Sequence, residues 1–274
     1  EIKNGGRGAI MLGMENGSPI QNDIALLNEF YRMGVRYITL CHSAHNQLCD
    51  SCAPKEKKWG GLSPFGKKVV KQMNKLGMII DVSHLSDDSF YDCLKYSTAP
   101  IVATHSCCRA LCNHPRNMSD KMIKDLAKNW GVIQINFYPA FLSDHYGCAE
   151  YFEAADAYDS AMKAYWRSGK KGKKEIADFK RKRDYIKKNF PSPSYKLLVD
   201  HIEHVVNLVG VDYVGLGSDY DGIEMPPLGL EDISKFENIT KELRFRGYTD
   251  LDIKKILGEN FMRVFSQVEN IAFR

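Results

Sequence analysis

The chain has 274 residues, with 38 Lys and Arg against 34 Asp and Glu, a net charge of +4, and 44% hydrophobic and 26% charged residues. This is ordinary globular composition, at a length that suits one α/β barrel as well as two smaller domains. No apolar run approaches the roughly 18 residues of a membrane helix, and 21 Gly with 10 Pro are too few for a collagenous or low-complexity chain.

Six short apolar runs are predicted as strands: Ala9 to Glu15, Tyr37 to His42, Met78 to His84, Pro100 to Ser106, Val132 to Tyr138 and Tyr213 to Asp219. Amphipathic stretches such as Gly66 to Leu76 and Ser119 to Asn129 separate them. Strands buried on both faces and alternating with helices indicate a parallel sheet of βα units. From Ala140 to Tyr195 the strand rhythm gives way to a helical, charged insertion, expected to sit within a single catalytic domain over residues 1 to 274. Lys163 to Lys188 holds twelve Lys or Arg and three Asp or Glu, a local +9 that leaves −5 for the rest of the chain. No stacking aromatics or nucleic-acid module accompany this charge, so it reads as a solvated helical hairpin and no nucleic-acid partner is expected. Pro191 and Pro193 end it, before a helix at Ser194 to Val209.

Six strands do not close an eight-stranded barrel, so a (β/α)8 TIM-type barrel is expected with its first two βα units absent from this chain. Residue 1 is Glu rather than Met, which reads as a start inside a longer protein and leaves the compartment open. An open doubly wound sheet is the rival fold, but no glycine-rich phosphate fingerprint follows any strand.

Five of the runs end on or next to a chemically capable residue: Glu15, His42, His84, His105 and Asp219. The C-terminal strand ends of such barrels form the active-site face. Catalytic zinc sites combine imidazole nitrogens with carboxylate oxygens and keep one position for water, and Glu15, His84, His105 and Asp219 supply such a set. No HExxH-type motif joins any two of them, so only the fold brings them together.

At these residues the chain resembles the renal, or membrane, dipeptidase family of zinc metallopeptidases in the amidohydrolase superfamily. The resemblance is carried by Gly13 to Gly17 (GMENG), Leu26 to His42 (LLNEFYRMGVRYITLCH), Gly61 to Gly66 (GLSPFG) and Asp81 to Ser86 (DVSHLS). It continues through Ala99 to Ser106 (APIVATHS), His114 to Asn117 (HPRN), Ile135 to Tyr138 (INFY) and Gly215 to Gly222 (GLGSDYDG). It implies a binuclear zinc site in a (β/α)8 barrel, a homodimer, and hydrolysis of small dipeptides. Glu15 matches the metal-bridging carboxylate, His84 and His105 match ligands of one metal, and Asp219 matches the acid/base. His42 matches the histidine that polarises the scissile carbonyl, and Arg116 the residue that pairs with the substrate's C-terminal carboxylate, a task suited to its planar fork. Tyr138 and Asn136 are placed as pocket-lining residues, with aromatic packing the rival reading of Tyr138. The implied mechanism is attack by a metal-bridged hydroxide, with Asp219 carrying the proton to the leaving amine.

Two departures stand out. The family opens its first strand with a His-x-Asp pair that ligates the other metal, whereas residues 1 to 14 contain neither His nor Asp. A fragment of a binuclear enzyme is therefore expected, or else a mononuclear or impaired relative. Asn16 also replaces a glycine common after the bridging Glu, which bears on the local turn. The alternative functions are an amidohydrolase of the same fold acting on another amide, a lactone or a D-amino-acid substrate, and a non-catalytic binding protein. The window Cys41 to Cys52 (CHSAHNQLCDSC) reads as free thiols, a disulfide loop or a small zinc site. Cys107, Cys108 and Cys112 read as packing residues, His114 as a loop residue beside Arg116, and His145, His201 and His204 as surface or helix-face histidines.

Overall fold

Apolar β-branched runs pair where both faces are covered, and all six predicted strands form, in the sheet order β1-β2-β3-β4-β5-β6. The computed structural model describes residues 10–146 and 148–272; Ala9, placed at sequence level in the first strand, lies outside them. The strands are β1 (Leu12–Glu15), β2 (Val35–Thr39), β3 (Ile79–Asp81), β4 (Val102–Ser106), β5 (Val132–Asn136) and β6 (Val214–Gly217). Pairing of β1 with β2, β2 with β3, and β3 with β4 is parallel. The chain divides into two compact units: Glu1–Thr104 with Lys121–Ile133 and Gly258–Arg274, and His105–Asp120 with Gln134–Leu257.

In the first unit, local signals set the helix limits. Helix α1 (Ile24–Arg32) starts where Asp23 accepts from the Ala25 amide at 2.8 Å. Helix α2 (Pro64–Leu76) has Ser63 as its cap, Pro64 in its first turn and left-handed Gly77 at its end. Helix α3 (Asp87–Tyr96) is capped by Ser86, with Asp87 and Asp88 against the positive end of the helix dipole. Helix α4 (Asp120–Lys128) buries Met122, Ile123, Leu126 and Ala127 along one face. The core joins Ile79, Ala99, Val102 and Val132 to Val264 and Val268 of a C-terminal helix, Asn260–Ala272. Each such buried aliphatic side chain contributes about 1.5–3 kcal/mol. Gly13 is required in β1 because a Cβ there would stand 1.9 Å from the Tyr37 ring.

The register aligns Glu15 with Thr39 and Thr39 with Asp81. His42 and His84 then stand at the same step, three residues beyond Thr39 and Asp81. These two strands end earlier than their apolar runs suggest because the buried Asp81 carboxylate takes over the pairing. Its Oδ1 accepts from the Ser83 and Thr104 amides at 3.0 and 2.9 Å, and its Oδ2 from the Thr39 and Thr104 hydroxyls at 2.5 and 2.6 Å.

The second unit contains α5 (Pro139–Leu142), α6 (Ala149–Arg167), α7 (Lys173–Asn189), α8 (Lys196–Val209), α9 (Glu237–Phe245) and α10 (Asp250–Lys254). Phe179 of α7 stacks on Tyr158 and Tyr165 of α6 at 5.2 and 5.4 Å, so the two helices form a hairpin. Helix α7 buries only Ile186, and its charges lie in water. One expectation changes here. His201 on α8 is 1% exposed, accepts from the Cys108 amide through Nδ1 at 3.0 Å and bonds the Leu142 carbonyl through Nε2 at 3.1 Å. Burial lowers its pKa to about 4, which keeps it a neutral structural bridge. His145 is exposed, and His204 pairs with Asp120 at 2.8 Å on the same helix as His201. No helix among the described residues is long and apolar enough to cross a membrane.

Candidate metal centre

The aligned ends of β1, β2 and β3 bring Glu15, His42 and His84 together, with their ligand atoms all within 4.8 Å of one another. Glu15 Oε1 stands 3.1 Å from His84 Nε2 and 3.8 Å from His42 Nε2. The two imidazoles lie 4.2 Å apart, tilted by 35°. Glu15 and His42 are about half exposed, whereas the His84 side chain retains 11% of its surface. The Ser43 hydroxyl at 3.1 Å from His42 Nδ1 leaves Nε2 turned toward Glu15. His84 holds a left-handed backbone, φ 68°, a rare conformation for a side chain of this size. Two imidazole nitrogens and one carboxylate oxygen converging from neighbouring strand ends match the donor set of a catalytic zinc site.

Among the described residues, no cysteine of the Cys41 to Cys52 window joins a group that could hold a metal ion. None of the eight cysteines forms a disulfide, and Cys41 and Cys49 are fully buried. Burial pushes the Cys49, Cys93 and Cys107 thiols up, so they remain protonated packing groups.

The remaining sequence-predicted residues lie in the second unit. His105 is the penultimate residue of β4 and is 8% exposed. Arg116 is equally buried, donating through NH2 to the His105 carbonyl at 2.9 Å, with its guanidinium 5.2 Å over the Phe141 ring. Its Nε is buried and lacks a hydrogen-bond partner. His114 bonds the Arg116 amide through Nδ1 at 3.1 Å, and burial, then the Arg116 charge, lowers its pKa to about 4.

Asp219 follows β6 in a left-handed conformation, φ 57°, and its Oδ2 accepts from Asn136 Nδ2 at 3.0 Å. Gly222 is needed beside it: a Cβ there would meet Asp219 Oδ1 at 2.4 Å. Asn136 is fully buried and also accepts from the Tyr138 amide at 2.6 Å, so it orients the aspartate. Tyr138 is 9% exposed and packs edge-on to Phe141 at 4.9 Å.

Sequence reasoning passed over two carboxylates. Asp81, quoted only as part of DVSHLS, is the strand-end anchor; an acid closing an apolar run was its signal. Glu224 has a buried Oε2 without a partner and borders a cavity of about 480 Å³ with Tyr158, Arg183 and Lys187, and burial raises its pKa. Nothing in its sequence context marks it.

Comparison with known proteins gives the chain's family. The membrane dipeptidase family, peptidase family M19, matches residues 1–274. Dipeptidase aclJ of Aspergillus oryzae is 35% identical over 97% of this chain and 53% of its own length. Dipeptidase tcpJ of Claviceps purpurea is 33% identical over 97% of this chain and 52% of its own. The crystal structure of the probable dipeptidase PvdM from Pseudomonas aeruginosa superposes with a TM-score of 0.80 at 31% identity, covering 97% of this chain and 70% of that one. A Rhodobacter sphaeroides metallo peptidase, solved with a phosphinate mimic of the dipeptide L-Ala-D-Ala, shares the fold with a TM-score of 0.73 at 23% identity over 94% of this chain and 63% of its own.

The fold is thus the α/β fold of metallopeptidases, built here on six parallel strands. The chain belongs to the membrane dipeptidase family, M19. It spans about half the length of the curated relatives it matches.

Proposed function

We propose that this chain carries the catalytic face of a metal-dependent dipeptidase, its six strands forming part of a (β/α)8 barrel. The convergence of Glu15, His42 and His84 in an M19 chain is the observation that carries this reading. Glu15 and His84 would hold a divalent cation, zinc by donor chemistry; the family resemblance implies His105 as a further metal ligand and a complement of two ions. A cation held there supplies Lewis acidity and a water acidified toward neutrality.

The chain's own groups do the rest. His42 Nε2–H, with the Ser43 hydroxyl donating to Nδ1, would hydrogen-bond the carbonyl oxygen as charge develops on it. Asp219, oriented by Asn136, would carry the proton to the leaving amine. Arg116 would receive the C-terminal carboxylate; its unpartnered buried Nε supports this role, because such a donor lacks compensation until an acceptor arrives. The 3.8 Å approach of His42 to Glu15 also supports a second reading, in which His42 is a metal donor.

Elemental analysis of the protein, with hydrolysis of dipeptides, N-acyl amino acids and lactones, tests the proposal. Stoichiometric metal and dipeptide turnover abolished by a chelator are the expected results. Turnover of acyl or lactone substrates alone would reassign the substrate, and absence of bound metal would end the reading. His42→Ala separates the two histidine roles: retained metal with lost turnover marks carbonyl polarisation, and lost metal marks a donor.

A further inference from the structure

The loop between β2 and α2 returns across the strand ends, and three consecutive residues do the crossing. Asp50 is 1% exposed, and its carboxylate collects the amides of Lys58, Trp59 and Gly60, the last at 2.8 Å. Its carbonyl accepts from the Ser86 amide at 3.0 Å and the Ser89 hydroxyl at 2.8 Å, which ties the loop to the start of α3. Ser51, 2% exposed, donates its hydroxyl to the His42 carbonyl at 2.5 Å and forms an antiparallel bridge with Leu85. The Cys52 amide donates to the His84 carbonyl at 2.9 Å, and the Cys41 thiol approaches the same oxygen at 3.7 Å. His45 locks the crossing from outside, accepting from the Ser51 amide through Nδ1 at 3.0 Å and bonding the Glu56 carbonyl through Nε2 at 2.6 Å.

We propose that Asp50, Ser51 and Cys52 form a strap that sets the spacing of the His42 and His84 imidazoles around Glu15, with Ser51 as its positioning side chain. The inference rests on the second reading above, in which His42 joins Glu15 and His84 as a metal donor. Both histidines lie past the last ladder hydrogen bonds of their strands, so the sheet alone does not fix their main chains. His84 in particular has a left-handed backbone that its own strand does not impose. The strap gives each histidine carbonyl a donor from adjacent residues of a single segment, which extends the coupling of the two strand ends beyond the Thr39–Asp81 hydrogen bond to the histidines themselves. This accounts for the CDSC sequence: its middle serine is a polar bridge, and its cysteines bracket that bridge as thiols.

The test is cobalt(II) titration of the protein and of Ser51→Ala, read by affinity and by the visible absorption of the bound ion, with His84→Ala as the control for the site. Ser51→Ala is expected to weaken cobalt binding by about 10- to 100-fold, as outer hydrogen bonds to a metal site commonly do, and to alter the absorption bands. Ser51→Thr, which keeps the hydroxyl, is expected to restore both. A lower melting temperature with unchanged affinity and bands would show a merely structural serine and overturn the strap while leaving the metal centre in place. Cobalt binding equally weak in the unsubstituted protein and in His84→Ala would remove the metal centre and the strap together. If Ser51→Ala does not fold, Ser51→Cys, of similar shape with a weaker donor, is decided by the same two readings.

Discussion

The strand ends of the first unit and the α6–α7 hairpin of the second use charged residues in opposite ways. The hairpin has the densest charge in the chain and spends it on exposed pairs such as Arg181 with Asp178 at 2.6 Å and Lys182 with Asp178 at 2.9 Å. Lys182, then Arg181, holds the Asp178 carboxyl below its usual range, yet the group is partly exposed and water screens the pairing. The strand ends have far fewer charges, but Asp81 and Asp50 are withdrawn from water and each accepts several hydrogen bonds. Desolvation, rather than the number of charges, decides where a charged residue shapes the molecule.

Three substitutions sharpen the contrast. Asp219→Asn should retain metal and lower turnover by about 100- to 10,000-fold; an unaltered rate in a kinetic assay removes the proton-carrying role. Asp81→Ala strips the shared acceptor from two threonine hydroxyls and two amides, and should cost on the order of 3 to 5 kcal/mol in denaturant unfolding. A loss below about 1 kcal/mol would mean that water replaces the carboxylate there. Lys182→Ala on the hairpin should shift the melting temperature by about 1 °C or less; a larger drop would reveal a packed role and weaken the distinction between the regions.

The sequence made the sheet legible because strands buried on both faces announce themselves as Ile and Val runs. Their polar termini were legible for the same reason: Glu15, His42 and His84 interrupt an apolar pattern. The ends of the strands were not, since the acceptors that stop β2 and β3 belong to Asp81, whose partners Thr39 and Thr104 lie 42 and 23 residues away. His201 looked like any helix histidine, and only the approach of Cys108, 93 residues distant, makes it a buried bridge. The strap was hidden for a related reason. In the window Cys41 to Cys52 the eye falls on cysteine and histidine as ligands, while the residue reaching His42 is a serine.

The core of the first unit has a bearing on how the protein is made. Val264 and Val268 of the Asn260–Ala272 helix complete the apolar layer under β3, β4 and β5, yet they are separated from Glu15 by some 250 positions of chain. On the ribosome, this apolar layer is expected to stay open while the second unit is synthesised and until the Asn260–Ala272 helix emerges. Nascent chains stalled before residue 260 are thus expected to expose an apolar seam to chaperones, and metal loading of the proposed centre is expected to follow late, long-range folding rather than early local structure.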